Sequence, residues 1–125
     1  MRRLVACGLL LGATLVALAP AQANHSAPAT YAGRAVLGGT VSFRIAASGK
    51  IIRIVLKQVD TGCGTISSTT TGKIPIVKHA FSYAGAGLRF RGSFPTRNKA
   101  RGTLSYRMTF PSCRGPVVKW TASRR

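Results

Sequence analysis

The chain has 125 residues, and its 19 Lys and Arg residues stand against a single acid, Asp60, for a formal net charge of +18. One carboxylate cannot form the acid and base pair of a glycosidase, and it cannot supply the oxygen ligands of a hard-metal site. So large a positive charge predicts attraction to polyanions, but it does not indicate which fold the chain adopts.

The first 23 residues predict a secretory signal peptide. Met1-Arg2-Arg3 is basic, residues 4–18 are apolar, and Ala21-Gln22-Ala23 places small residues where signal peptidase cleaves. The apolar run is shorter than the roughly 20 residues that span a bilayer, which makes a transmembrane helix the weaker interpretation. A lipoprotein box at residues 4–7 is a minor alternative, because cleavage there leaves almost no apolar segment before the cysteine.

We expect cleavage after Ala23, a flexible leader over residues 24–29 and one domain over residues 30–125. The predicted protein is secreted, either extracellular or associated with the cell envelope, and its mature chain has no transmembrane segment. Removal of Arg2 and Arg3 with the signal peptide lowers the net charge from +18 to +16.

Cysteine usage fits export. Once Cys7 is removed, Cys63 and Cys113 are the only thiols, and an exported domain with two cysteines most often joins them. The bond would close a loop of about 50 residues and stabilise the fold by roughly 4 kcal/mol through chain entropy. A reactive thiol at Cys63 is the weaker alternative.

Alternation of apolar and polar residues predicts β-strands through the mature chain. Residues 41–45 alternate in this way before the Ser48-Gly49-Lys50 turn, and Ile52, Ile54 and Leu56 of the next strand are expected in the core. Residues 60–72 predict a loop with one short Thr-rich edge strand, and residues 74–77 an edge strand that tolerates proline.

Residues 100–122 predict a final hairpin with Cys113 in its turn. Its expected core side consists of Leu104, Tyr106, Met108, Phe110, Val118 and Trp120. No helical period occurs and turns recur about every ten residues, which predicts an all-β, antiparallel β-sandwich, immunoglobulin-like or jelly-roll-like, of about seven to nine strands. A partly open barrel is the alternative. We favour the sandwich because a simple meander would not need a bond from a mid-chain loop to the last hairpin.

A series of short motifs extends over nearly all of the mature chain. They are Thr30-Tyr31-Ala32-Gly33, Val41-Ser42-Phe43, Gly49-Lys50, Ile74-Pro75-Ile76, Phe90-Arg91-Gly92-Ser93-Phe94, Ala100-Arg101-Gly102-Thr103-Leu104 and Val118-Lys119-Trp120-Thr121-Ala122. With its two cysteines, the chain resembles a set of small secreted β-sandwich proteins from high-GC Gram-positive bacteria. The shared motifs are turn glycines, alternating aromatics and a late tryptophan, so the resemblance implies the sandwich and the disulfide and carries no activity.

The mature chain offers few groups for catalysis or for metal binding. Zinc needs about four ligands, and the available ones are His25, His79, Asp60 and two cysteines that we expect to be bonded. A triad of Asp60, His79 and a serine lacks a nucleophile-elbow motif, and the glycines at 62–64 and 85–87 lack the spacing of a phosphate loop. We therefore predict a protein that is not an enzyme and uses no cofactor or metal.

The basic residues remain as the candidate site. The expected outward positions that could bind a polyanion are Arg44, Arg53, Lys57, Arg89, Arg91, Arg107 and Lys119. Further charge at loops and at the chain end comes from Arg97, Lys99, Arg101, Arg114, Arg124 and Arg125. These residues predict weak binding to anionic polymers of the cell wall or membrane, without sequence-specific recognition of nucleic acid because the aromatics face inward.

Two other interpretations stay open. The arginines can be no more than the solvated side of each strand, where they oppose edge-to-edge aggregation. The domain can instead be a protein-binding module, an inhibitor or adhesin, that recognises a partner through a loop at residues 65–73. One continuous basic face would favour polyanion binding, and an even scatter would favour the solvated-side interpretation.

Overall fold

A computed structural model describes residues 25–125, so the predicted signal peptide lies outside the described residues. This part of the chain contains strands and no helix. The strands are β1 (Ala29–Ala35), β2 (Thr40–Ile45), β3 (Ile51–Asp60), β4 (Thr65–Ile74), β5 (Ala80–Gly85), β6 (Leu88–Thr96), β7 (Lys99–Met108), β8 (Cys113–Arg114) and β9 (Val118–Arg124).

The nine strands form a single antiparallel sheet that is nearly closed. Its order is β4-β3-β2-β1-β9-β7-β6-β5, with the short β8 paired to β7. The all-β class, the antiparallel pairing and the strand number confirm the sequence prediction. The sequence left the strand order open. On one side of the β1–β9 pair the strands run in order from β1 to β4, and on the other side they run back from β9 through β7 and β6 to β5, as in a meander. This order differs from the Greek-key order typical of immunoglobulin and jelly-roll folds.

Aromatic side chains fill the interior of the sheet. Trp120 is fully buried and stacks on Phe90, with ring centroids 4.9 Å apart, while Phe43 meets the indole edge to face at 5.9 Å. Tyr31 stacks on Phe43 at 5.3 Å, and the indole Nε1 of Trp120 donates to the carbonyl of Thr103 at 3.3 Å. These rings come from four different strands, so their packing joins β1 and β2 to β6 and β9.

Two glycines allow neighbouring strands to approach closely. A Cβ at Gly33 would lie 1.8 Å from the carbonyl oxygen of Thr121, and one at Gly102 would lie 1.8 Å from that of Arg91. No side chain fits at such distances, so these positions of β1 and β7 require glycine.

The connections alternate between two ends of the sheet. We call one the disulfide end; it carries the β1–β2 connection, the β3–β4 loop, the β5–β6 turn and the segment from β7 to β9. The Cys63–Cys113 bond is confirmed there, with the two sulfurs 1.99 Å and the two Cα atoms 5.8 Å apart. The opposite end carries the remaining connections and both ends of the described chain.

The prediction for residues 51–74 was wrong in two details. In β3 the buried side chains include Ile51, Ile54 and Leu56, whereas Ile52 is only half-buried, because the register shifts by a bulge beside Ile51. The expected loop over 60–72 is short, and the ten-residue edge strand β4 occupies most of it.

The final hairpin also differs from the prediction at its turn. Leu104, Val118 and Trp120 are buried as expected, but Tyr106 and Met108 are half-buried and Phe110 is 92% exposed. Strand β7 ends at Met108 and pairs there with Cys113, so Phe110 lies on the turn beyond the core.

The expected leader contacts the domain. The ring of His25 lies 5.3 Å from that of Phe94, and the backbone N–H of buried Ser26 donates to the Tyr31 hydroxyl at 2.9 Å. The first strand begins at Ala29, one residue before the expected domain start.

Candidate anion-binding surface

The seven predicted binding residues are all exposed, but they do not form one cluster. Arg44 lies on β2, Arg53 and Lys57 on β3, Arg89 and Arg91 on β6, Arg107 on β7 and Lys119 on β9. The register of the strands divides them into groups with different neighbours.

The first group lies on the outer face of β2 and β3. Arg44 and Arg53 are direct cross-strand partners, and Arg53 and Lys57 flank a groove of about 300 Å³. The Arg44 guanidinium donates to the Thr30 hydroxyl at 3.3 Å. Like charges placed directly opposite each other repel, and no carboxylate lies between them to offset the repulsion.

From Lys57 of the first group, a row in which basic and hydroxyl residues alternate extends across the sheet. In register order from β3 to β6, the row is Lys57, Thr40, Arg34, Thr121, Arg101 and Ser93. Since β9 lies between β1 and β7, Thr121 separates the basic residue of β1 from that of β7.

A neighbouring row repeats the pattern over β9, β7 and β6. Lys119 is paired with Thr103, and Thr103 with Arg91. On the other side of the first row, the Lys99 ammonium donates to the Ser123 hydroxyl at 3.1 Å. The basic members of these rows on β1, β9, β7 and β6 are called here the central basic surface; they are Arg34, Arg91, Lys99, Arg101 and Lys119.

Two grooves meet on the central basic surface. One, of about 510 Å³, lies over β1, β9 and β7 and is lined by Arg34, Lys99 and Arg101. The other, of about 560 Å³, lies over β5, β6 and β7 and is lined by Arg91 and Arg101. Arg101 belongs to both grooves, so its side chain connects them into one extended basic surface.

Along each row, the alternation with hydroxyl residues limits the repulsion between one cation and the next. Basic residues separated by a hydroxyl strand are two strand spacings apart, about 10 Å, which is close to the Debye length at physiological salt. Guanidinium and ammonium groups between hydroxyl donors suit oxyanions such as phosphate, sulfate or carboxylate. The one acid of the chain, Asp60, lies at the disulfide end, where it accepts a hydrogen bond from the Gly62 backbone N–H.

The geometry separates the residues that were considered for catalysis. Asp60 lies at the disulfide end and His79 at the opposite end, and both cysteines are in the disulfide. Within residues 25–125, no three His, Cys, Asp or Glu side chains are grouped so as to hold a metal ion. The same part of the chain has no helix with the length and apolarity needed to cross a membrane.

The position of His25 lowers the proton affinity of its imidazole. Burial, followed by the positive charges of His79 and Arg97, lowers its pKa from the ordinary value of 6.5. Its buried Nδ1 has no hydrogen-bond partner among the described residues.

The segment considered for partner recognition is not a loop. Residues 65–73 belong to β4, an edge strand of the sheet. A cleft of about 600 Å³ separates it from β5 and is lined by hydroxyl residues of β4 and by Tyr83 and Tyr106.

Sequence reasoning missed Arg34 as a site residue and placed Lys99 and Arg101 at loops. All three lie on strands, and Arg34 and Arg101 are 67 positions apart along the chain. Arg34 precedes the buried Ala35 and Arg101 follows the buried Ala100, so alternation alone could have predicted that both arginines face outward. The pairing of β1 and β7 with β9 then brings the two positions together.

No protein-family model, curated protein or solved structure matches the chain. The resemblance to small secreted β-sandwich proteins of high-GC Gram-positive bacteria therefore stays a prediction.

Proposed function

We propose that this protein is an exported, non-enzymatic domain that binds anionic polymers of the cell envelope through the central basic surface. The observation that carries the proposal is the row in which Arg34, Thr121 and Arg101 are cross-strand neighbours over three adjacent strands. A polymer that carries repeated phosphate, sulfate or carboxylate groups meets a cation and a hydroxyl donor in alternation along this row.

Charge and compartment support the same function. The chain has 19 basic residues and one acid, so its cations attract an external polyanion without competition from neighbouring carboxylates. The Cys63–Cys113 bond fits an oxidising compartment outside the cytoplasm. Among the described Phe, Tyr and Trp side chains, Phe110 alone is exposed, and it lies at the disulfide end. The central basic surface therefore lacks the stacking platforms of single-strand nucleic-acid binders, which favours binding without base specificity.

The test compares two double variants that remove the same charge from different places. Arg34→Gln/Arg101→Gln removes two cations from the central basic surface, and Arg44→Gln/Arg53→Gln removes two from β2 and β3. Each variant is measured for its affinity for heparin and for polyphosphate over a series of salt concentrations. We expect the central variant to lose affinity more strongly and to reduce the slope of log affinity against log salt by about one per contact removed.

Equal losses in the two variants would assign the binding to net charge alone and would remove the central basic surface from the proposal. An affinity for both polymers that did not change with salt would contradict polyanion binding altogether.

A further inference from the structure

The disulfide end differs from the rest of the surface because it combines exposed apolar side chains with arginines. Five large apolar side chains of the described residues are prominently exposed, and four of them, Val36, Leu37, Phe110 and Val117, lie on connections at this end. The fifth, Val77, lies at the opposite end. Exposed apolar groups concentrated at one end of a soluble domain indicate an interaction site.

These side chains come from adjacent connections. The backbone N–H of Val36 donates to the carbonyl of Lys119 at 2.8 Å, so the β1–β2 connection lies beside the segment that contains Val117. Phe110 lies on the turn between β7 and β8 and is 92% exposed. The disulfide fixes the base of that turn to the β3–β4 loop through Cys113.

Arginines lie directly beneath the Phe110 turn. Arg107 of β7 and Arg114 of β8 are cross-strand partners, and both are exposed. With Arg89 of β6 they line a groove of about 440 Å³ that also reaches Val117. The sole acid of the chain, Asp60, lies at this end and accepts from the backbone N–H of Gly62. Three guanidinium groups in one groove form a site for a phosphate or another oxyanion.

We propose that the disulfide end docks on an anionic phospholipid surface, with Phe110 and its apolar neighbours in the interface and the three arginines of the groove on headgroup phosphates. Stable attachment to a bilayer takes two signals, and this end supplies both apolar insertion and a basic cluster. A second copy of the chain is a poorer occupant because it carries the same large positive charge.

This surface is separate from the central basic surface, so the two proposals can fail independently. A soluble polyanion engages the central surface without using Phe110. A bilayer uses Phe110, which a soluble polyanion has no means to bury.

The experiment uses vesicles of phosphatidylcholine with and without phosphatidylglycerol. The variant Phe110→Trp places an indole on the turn, while the native Trp120 is fully buried and supplies a constant background. We expect the emission of Phe110→Trp to shift to shorter wavelength with the anionic vesicles and to stay unchanged with phosphatidylcholine alone.

Sedimentation with the same vesicles measures the apolar and basic contributions. Phe110→Ser is expected to weaken partitioning by about tenfold or more, and Val77→Ser, the matched change at the opposite end, by less than about twofold. Arg107→Gln/Arg114→Gln is expected to weaken it by about tenfold, and clearly more than Arg44→Gln/Arg53→Gln, which also removes a cross-strand arginine pair. Because all of these side chains are exposed, and the two arginine pairs repel, no variant should melt below the parent.

The proposal is overturned by an unshifted emission of Phe110→Trp or by equal losses in the matched variants. A parent dimer that Phe110→Ser dissociates, seen by light scattering, would assign the apolar end to self-association and would also overturn it. Retention on heparin should be unchanged in Phe110→Ser. A parent protein that binds heparin but does not bind the anionic vesicles would remove this inference alone.

Discussion

The interior of the sheet stabilises the fold, whereas charge repulsion on its outer face destabilises it. Inside, Trp120, Phe90, Phe43 and Tyr31 form contiguous ring contacts. Outside, the strands present cations and hydroxyls, and in two places arginines stand directly opposite each other. Cohesion therefore comes from the aromatic interior and the disulfide, while the outer face contributes repulsion that an anionic ligand would relieve.

The charges of the outer face therefore lower the free energy of unfolding of the unliganded protein. A net stability of about 5 to 15 kcal/mol is usual for a domain, and closing a loop across 50 residues supplies roughly 4 kcal/mol of stabilisation. A domain with so few acids depends more than usual on such contributions, because surface ion pairs with side-chain carboxylates are limited to Asp60.

The largest effect should come from the interior. Trp120→Ala removes the ring that stacks on Phe90 and contacts Phe43, and we expect it to lower the free energy of unfolding by about 3 to 5 kcal/mol. Urea unfolding followed by circular dichroism measures the change. Trp120→Phe keeps an aromatic ring and loses the hydrogen bond to Thr103, so a smaller loss, about 1 to 2 kcal/mol, is expected for this control. A Trp120→Ala protein as stable as the parent would show that the interior assignment is wrong.

A smaller effect of the opposite sign is expected on the outer face. Arg53→Thr removes the cation opposite Arg44 and keeps a good strand former, so it should raise the free energy of unfolding by about 0.5 kcal/mol at low salt. The gain should shrink at high salt as the repulsion is screened. Arg91→Thr is the matched control, because the partners of Arg91 are Thr103 and Ser82, and its stability should stay near that of the parent. Indistinguishable shifts for the two variants in urea unfolding at low salt would refute the repulsion between paired arginines.

The smallest effect concerns the one titratable group at the margin of the interior. The pKa of His25 is lowered, chiefly by burial, so the unfolded chain takes up a proton at a higher pH than the folded protein does. Above about pH 6.5 the imidazole of His25 is neutral in both states, so its burial does not reduce the free energy of unfolding. As the pH is lowered below that value, the unfolded chain binds the proton more readily and the free energy of unfolding falls. Unfolding midpoints in urea at pH 7.5 and pH 5 should differ more for the parent than for His25→Gln. An identical pH dependence in the two proteins would contradict the burial of this imidazole.

Much of the fold follows from local pattern. Alternation along residues 41–45 and 118–122 identified strands and their inward side, and the buried Val41, Phe43, Val118 and Trp120 agree with it. The pattern failed where period two is broken. A bulge exchanged the roles of Ile51 and Ile52, and the hydroxyl-rich residues 65–74 form an edge strand, for which few inward apolar side chains are required.

Composition, local alternation and cysteine number were enough to predict the excess of positive charge, the antiparallel β class, the inward position of most aromatic rings and the pairing of Cys63 with Cys113. Which cations are neighbours, by contrast, follows from the strand order and register of the folded sheet. The insertion of β9 between β1 and β7 places Arg34 and Arg101 on either side of Thr121, and the β6–β7 pairing brings Arg89 to the groove of Arg107 and Arg114. Strand order and register depend on contacts between residues that are distant in the chain, and a local pattern carries no record of them.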